Sequence, residues 1–287
     1  MRNFRHTARP DGMMLRALAR SPKAGSYPEL RAWHASIAAA YNNYMIKGGC
    51  ANSLTPVALS HELGKRLIAH YSHPPKSHKF ITSFREETGA HTCTMCGSAS
   101  CGTLDHVLPK EIFPEFSLYS RNLVPACQCN SKRGIQYKGG DGARILHPYF
   151  DSVLSQRLVG CDFEDHGRAP SLKIVNLLEV THPQYSSVQF HIENVLLKTQ
   201  IKRALRRDWA KLLRKPSLVV RELRRTPRNR NQLTEILKTE LSILDDSYES
   251  YNNWASIFIT GLLQAHTLQW IYEHLSKPGR MEDGPLL

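Results

Sequence analysis

Residues 91–138 read HTCTMCGSASCGTLDHVLPKEIFPEFSLYSRNLVPACQCNSKRGIQYK. Five of the chain's seven cysteines fall in this stretch, including the close pairs Cys93/Cys96 and Cys127/Cys129. Thiolates gathered this tightly in a chain otherwise sparing with cysteine point to a tetrahedral zinc site. Gly97, directly after the first pair, relaxes the tight turn that lets two sulfurs reach one ion. The second pair is one residue shorter than CxxC, so Cys127 needs a tighter turn or Cys101 takes its place.

Between the pairs, Thr103–Val107 reads as a short strand stopped by Pro109, and Leu123–Pro125 as a second strand. Asn130-Ser131-Lys132-Arg133 reads as a helix start with Asn130 near the cap. Hydrolysis of a phosphodiester needs a base near neutral pH and relief of charge on the phosphate. An imidazole, which ordinarily titrates near pH ~6.5, suits the first task, and oxygen ligands holding a hard cation suit the second. The stretch holds an Asp105-His106 dipeptide and a lone Asn122 between the cysteine pairs, groups of the kind such chemistry uses.

The order CxxCG, LDHVLP, RNLVPAC and CNSKRG resembles the HNH endonuclease family over roughly 45 to 50 residues, under a fifth of the chain. Together with the helical patterns on either side, the resemblance implies an α+β, mainly helical protein. At its centre would be a ββα-metal unit, zinc-stapled through Cys93, Cys96, Cys127 and Cys129, with a small sheet and flanking helices. It implies that His106 is the general base, that Asn122 orients it, and that Asp105 and Asn130 hold a catalytic Mg²⁺ or Mn²⁺. Asparagine at 130 departs from H-N-H and is similar to the HNN variant of CRISPR effector nucleases. Asp105 and His106, adjacent on a strand, point to opposite faces unless the strand bends.

The wider chain fits a nucleic-acid partner. Its 287 residues carry 38 Lys+Arg against 25 Asp+Glu, a net charge of +13, and excess of that sign favours a polyanion. Between Lys198 and Arg230 stand thirteen basic residues against only Asp208 and Glu222. A solvated helix face normally interleaves acids, so contact with phosphates is the better reading. Lys110, Lys132 and Arg133 near the motif, and Arg203, Arg206 and Arg207 in the basic run, are the candidate contacts, with double-stranded DNA as the expected partner. No apolar run is long enough to span a membrane, and seven largely clustered cysteines argue for a reducing, cytoplasmic setting over a disulfide framework. Cys50 and Cys161 read as bystanders.

The chain divides into a basic arm (1–25), a helical segment (26–88), the HNH segment (89–151), a small β segment (152–195) and a basic helical region (196–287). The arm reads as a loose terminus or as a strap on DNA or a partner. Ser26-x-x-Glu29 has capping-box spacing ahead of a helix that Gly48-Gly49 ends, and Thr55-Pro56 opens the next. His61, His70, His73 and His78 share no ligand pattern, and His147 in HPYFD is a packing or hydrogen-bonding residue ahead of a metal ligand. Residues 172–175 and 187–192 alternate as two strands. Residues 254–275 form one broad apolar helix, for the core or for a homo-oligomer interface.

The expected activity is metal-dependent DNA cleavage in bacterial anti-phage defence or restriction. The alternative is a zinc-stapled subunit that binds nucleic acid or protein without cutting. No G-x-x-x-x-G-K-[ST] pattern is present, so in a larger assembly an ATPase or sensor partner would supply nucleotide hydrolysis.

Overall fold

The computed structural model describes residues 1–87 and 92–287, with the side chains of 86 and 87 outside the description. The boundary expected at 88/89 falls outside those residues. Helices α1 (Asp11–Ala19), α2 (Glu29–Ile46), α3 (His61–Ser72) and α4 (Phe80–Glu87) precede strands β1 (Thr103–His106) and β2 (Leu123–Ala126) and the short helix α5 (Cys129–Arg133). Then come β3 (Val159–Phe163), β4 (Leu172–Asn176), α6 (Tyr185–His191), α7 (Ile201–Arg214), α8 (Arg230–Ser247), α9 (Trp254–Leu262) and α10 (Ala265–Leu275). The protein is α+β, about 48% helix, with two separate two-stranded antiparallel sheets, β1–β2 and β3–β4.

The β1–β2 hairpin separates two apolar cores, because its residues alternate between them. Leu104 and Leu123 join the first three helices and the aromatic residues of the hairpin loop, Phe113, Phe116 and Tyr119. Val107, Val124 and Ala126 join the cysteines, β3 and the C-terminal helices. Register pairs Asp105 with Val124 and His106 with Leu123, which places the acid and the imidazole at the very end of β1. Helix α7 turns Ile201, Leu205, Trp209, Leu212 and Leu213 into the second core and leaves Lys202, Arg203, Arg206 and Arg207 in solvent, a clean amphipathic split.

Several expectations are corrected. Residues 187–192 are helical: Val188, Ile192 and Val195 lie three to four apart and are all buried, so a helical face outcompetes the apparent alternation. The partner of β4 is β3, whose Gly-Cys-Asp centre carries little strand signal. The N-terminal arm is not loose. Met1 is fully buried, its ammonium donates to the Asn252 carbonyl (3.0 Å), and Arg2 pairs with Glu249. The Ser26 box does not form; the Ser26 hydroxyl meets His70 (3.0 Å), and the side-chain cap belongs to Ser60 on α3, so that helix begins at His61 and not at Thr55. Asn130 lies inside α5, and Gln128 holds the cap position. The apolar run 254–275 breaks into α9 and α10 at Leu263-Gln264, and α9 is buried along almost all its length. Among the described residues, no helix is long and apolar enough to cross a membrane.

Candidate functional site

Cys93, Cys96, Cys127 and Cys129 converge, with all four sulfurs within 4.8 Å of one another. The Sγ atoms of Cys93 and Cys129 are 3.6 Å apart, and those of Cys96 and Cys127 are 3.4 Å apart. A tetrahedral ion with Zn–S near ~2.3 Å separates its sulfurs by about 3.8 Å, so the cluster could hold a structural zinc. Crowding shapes the thiols themselves. Hydrogen bonds from Cys129, Cys93 and Cys96 pull the Cys127 thiol down, while the contact with Cys127 is the largest cause that pushes Cys96 and Cys129 up. A cation among the four sulfurs would relieve this competition by stabilising every ligand as a thiolate. Cys101, considered as a substitute, stays outside the cluster, half-buried, with its thiol raised to about 12 by burial. Cys161 is buried in β3 and Cys50 is half-buried elsewhere.

The short C-x-C turn works because backbone amides support the sulfurs: Cys96 N and Cys127 N both donate to Cys93 Sγ, at 3.4 and 3.3 Å. Gly97 carries the reversal at φ 77°. A Cβ there would lie 2.0 Å from the Asn252 carbonyl oxygen, so only glycine fits. The knuckle is also tied to distant helices. The Trp254 indole donates to Cys96 O (2.8 Å), and His191 Nε2 meets Met95 O (2.7 Å).

A few residues on, a cleft of about 420 Å³ is lined by Asp105, His106, Lys110, Glu111, Asn130 and Arg133 among others. His106 Nε2 lies 3.0 Å from the Ser117 carbonyl oxygen. A carbonyl only accepts, so Nε2 carries the proton and a neutral ring leaves its Nδ1 lone pair free. That Nδ1 has no hydrogen-bond partner among the described residues and lies 3.6 Å from Asp105 Oδ1. Asp105 Oδ1 in turn accepts the His106 amide at 2.7 Å. The adjacent acid and imidazole, expected on opposite faces, both line the cleft, with the Asp105 carboxylate folded back onto the His106 amide.

Asn130 Nδ2 donates to the His106 carbonyl (3.0 Å), while its Oδ1 is buried with no partner among the described residues. Arg133 is turned inward, not toward solvent. Its guanidinium donates to Val107 O (2.8 Å) and His106 O (3.2 Å), and burial lowers its pKa to about 10. Asn122 makes no hydrogen bond to the imidazole. Fully buried, it exchanges hydrogen bonds with Leu108 N and O (2.8 and 3.1 Å), donates to Phe116 O (3.3 Å) and accepts from the Tyr44 hydroxyl (3.0 Å). It thereby clamps the loop one residue from Ser117.

Tyr71 packs edge-on against His106 with ring centroids 4.3 Å apart, and its hydroxyl bonds to Leu104 O. Neither Tyr71 nor Ser117 stands out in the sequence: one lies more than thirty residues upstream, and the other acts through its backbone. Tyr44 also reaches His147 Nε2 (2.8 Å), which places His147 in a buried hydrogen-bond network and not in the thiolate cluster.

Lys110 rims the cleft, paired with Glu111 at 2.8 Å, and Lys132 is exposed on α5. Arg203 and Arg207 line a separate concavity with Ser98, Ser100 and Trp254, beside the knuckle. Arg206 donates to Pro170 O (3.0 Å) and lines neither.

A 65-residue stretch of the chain is 35% identical to protein ea31 of Escherichia phage lambda. The match covers 22% of this chain and 22% of that protein, so it spans about a fifth of the relative's length. No protein-family model and no solved structure matches the chain.

Proposed function

We propose that the protein is a metal-dependent endonuclease of the HNH type, hydrolysing phosphodiester bonds of DNA. One observation carries the reading. His106 is held by the Ser117 carbonyl with its Nδ1 unpartnered, in the same cleft as the Asp105 carboxylate and the orphaned Oδ1 of Asn130. Two buried, unsatisfied acceptor atoms cost stability in a folded chain, and such sites are retained where they do chemistry. The hairpin β1–β2 followed by α5, beside a cluster able to hold zinc, supports the ββα-metal assignment.

In this reading, His106 Nδ1 takes the proton from an attacking water, and the Ser117 carbonyl stabilises the imidazolium that forms. Asp105 and Asn130 Oδ1, both oxygen donors, would hold a hard divalent ion such as Mg²⁺ or Mn²⁺. That ion, when bound, neutralises charge on the scissile phosphate. Arg133 and Asn130 fix the His106 backbone, and Asn122 fixes the loop that presents Ser117. Lys110 at the rim and the exposed row on α7 would contact phosphates without reading bases.

In a plasmid-cleavage assay with Mg²⁺ or Mn²⁺, His106→Ala is expected to lower the rate by ~10²–10⁴-fold while leaving zinc content intact. Cleavage at the parental rate would refute the assignment. A second reading, a zinc-stapled module that binds nucleic acid without cutting, is favoured by the 2% exposure of His106. It requires that the parent bind DNA in a salt-dependent manner and cut none under any divalent metal.

A further inference from the structure

Away from the thiolates and the cleft, α1 and α2 enclose a concavity of about 350 Å³ lined by Arg16, Ala19, Arg20, Arg31 and His34. Four basic side chains line it and, among the described residues, no acid does. Asp11 and Glu29 are the only acids between residues 11 and 34, and both are committed elsewhere. Asp11 is buried and accepts from the Ser120 amide (3.0 Å) and hydroxyl (2.7 Å). Glu29 accepts the Ser60 hydroxyl.

Arg16, Arg20 and Arg31 are exposed, and their guanidinium groups make no hydrogen bond or ion pair among the described residues. The dipole of α1 accounts for Arg16 and Arg20, which stand at its C-terminal end. It does not account for Arg31, in the first turn of α2, where the dipole disfavours a cation. Three guanidinium forks without a partner among the described residues surround one concavity and match the oxygens of a phosphate, which such forks bind bidentately.

We propose that this α1–α2 concavity is a phosphate-binding site, its ligand a phosphate group carried on a nucleic-acid backbone or on a small free molecule. The proposal does not depend on the cleft being catalytic, and it is tested by binding in the His106→Ala chain, where cutting cannot confuse the result. Arg20→Ala/Arg31→Ala is compared with its parent by anisotropy of a labelled DNA duplex between roughly 50 and 200 mM salt, and by calorimetry with inorganic pyrophosphate. The substituted residues are exposed, and an unchanged thermal melt verifies the fold.

A nucleic-acid backbone as ligand lowers the magnitude of the salt slope by about 1 for each phosphate that the substituted chain no longer neutralises. A free phosphate as ligand abolishes the pyrophosphate heat and leaves duplex binding as it was. In either case Arg20→Lys/Arg31→Lys recovers only part of the binding, because lysine lacks the fork. The proposal is overturned if both titrations match the parent, or if the parent binds neither probe.

Discussion

At the scale of single residues, the cleft and its surroundings depend on buried polar groups with few alternatives. Glu115, on the loop that carries Ser117, is 2% exposed and accepts the Val57 amide at 2.9 Å. Burial raises its pKa from 4.5 to about 7. The folded chain therefore keeps this proton at pH values where the unfolded chain has released it. The stability linked to the neutral acid is full below pH 4.5 and is lost as the pH rises through about 7. Glu115→Gln, permanently neutral, should be more stable than the parent at about pH 8, by roughly 1–3 kcal/mol, and indistinguishable near pH 4.5. Denaturant titrations at both values measure this, and an equal effect at both would show that the carboxyl does not titrate as described.

At the scale of elements, the thiolate knuckle is built jointly by its own turn and by helices far away in sequence. Gly97 allows the Asn252 carbonyl, just ahead of α9, to approach to a distance that excludes a Cβ. Gly97→Ala must either push that segment away or unwind the turn. It should lose about 2 kcal/mol or more of stability and bind zinc below one equivalent per chain. Thermal melting with metal analysis checks both, and a variant with the parental melting temperature and a full equivalent of zinc would remove the coupling argued here. The strands of the motif were legible from their apolar runs and from Pro109 beyond β1, although Pro125, expected to end β2, pairs with Leu104 inside it and the strand runs on to Ala126. Helix α6 was not legible, since a short buried run satisfies strand and helix patterns alike and only its neighbours choose.

At the scale of the molecule, three buried histidines and the half-buried His6 are held neutral. Burial lowers His6, His78 and His191 to about 4 and His147 to about 3, against an ordinary 6.5. Unfolding at acid pH exposes them to protons they cannot take up when folded. Their contribution is present above pH 6.5 and declines progressively as the pH falls toward the folded values. Thiolate ligands release metal over the same direction of change. In Glu115→Gln, which removes the opposing titration of that carboxyl, the unfolding midpoint in denaturant should therefore fall steadily from about pH 7 to about pH 4.5, and a flat profile would contradict the burial of these rings. The two cores meet at the hairpin, so loosening either one is expected to disturb the cleft that Asp105 and His106 line at the end of β1.

The cysteine spacing, the Asp105-His106 dipeptide and the basic run to Arg230 were determined locally, because ligand type, strand breakers and charge density are properties of adjacent residues. The tertiary structure alone decided which nitrogen of His106 is free, that Arg133 faces inward, that Cys101 is excluded, and that Met1 is buried against the loop before α9. Each of these depends on a partner distant in the chain or on a backbone carbonyl. Side-chain identity carries no record of either, and only the packing of the two cores brings them into contact.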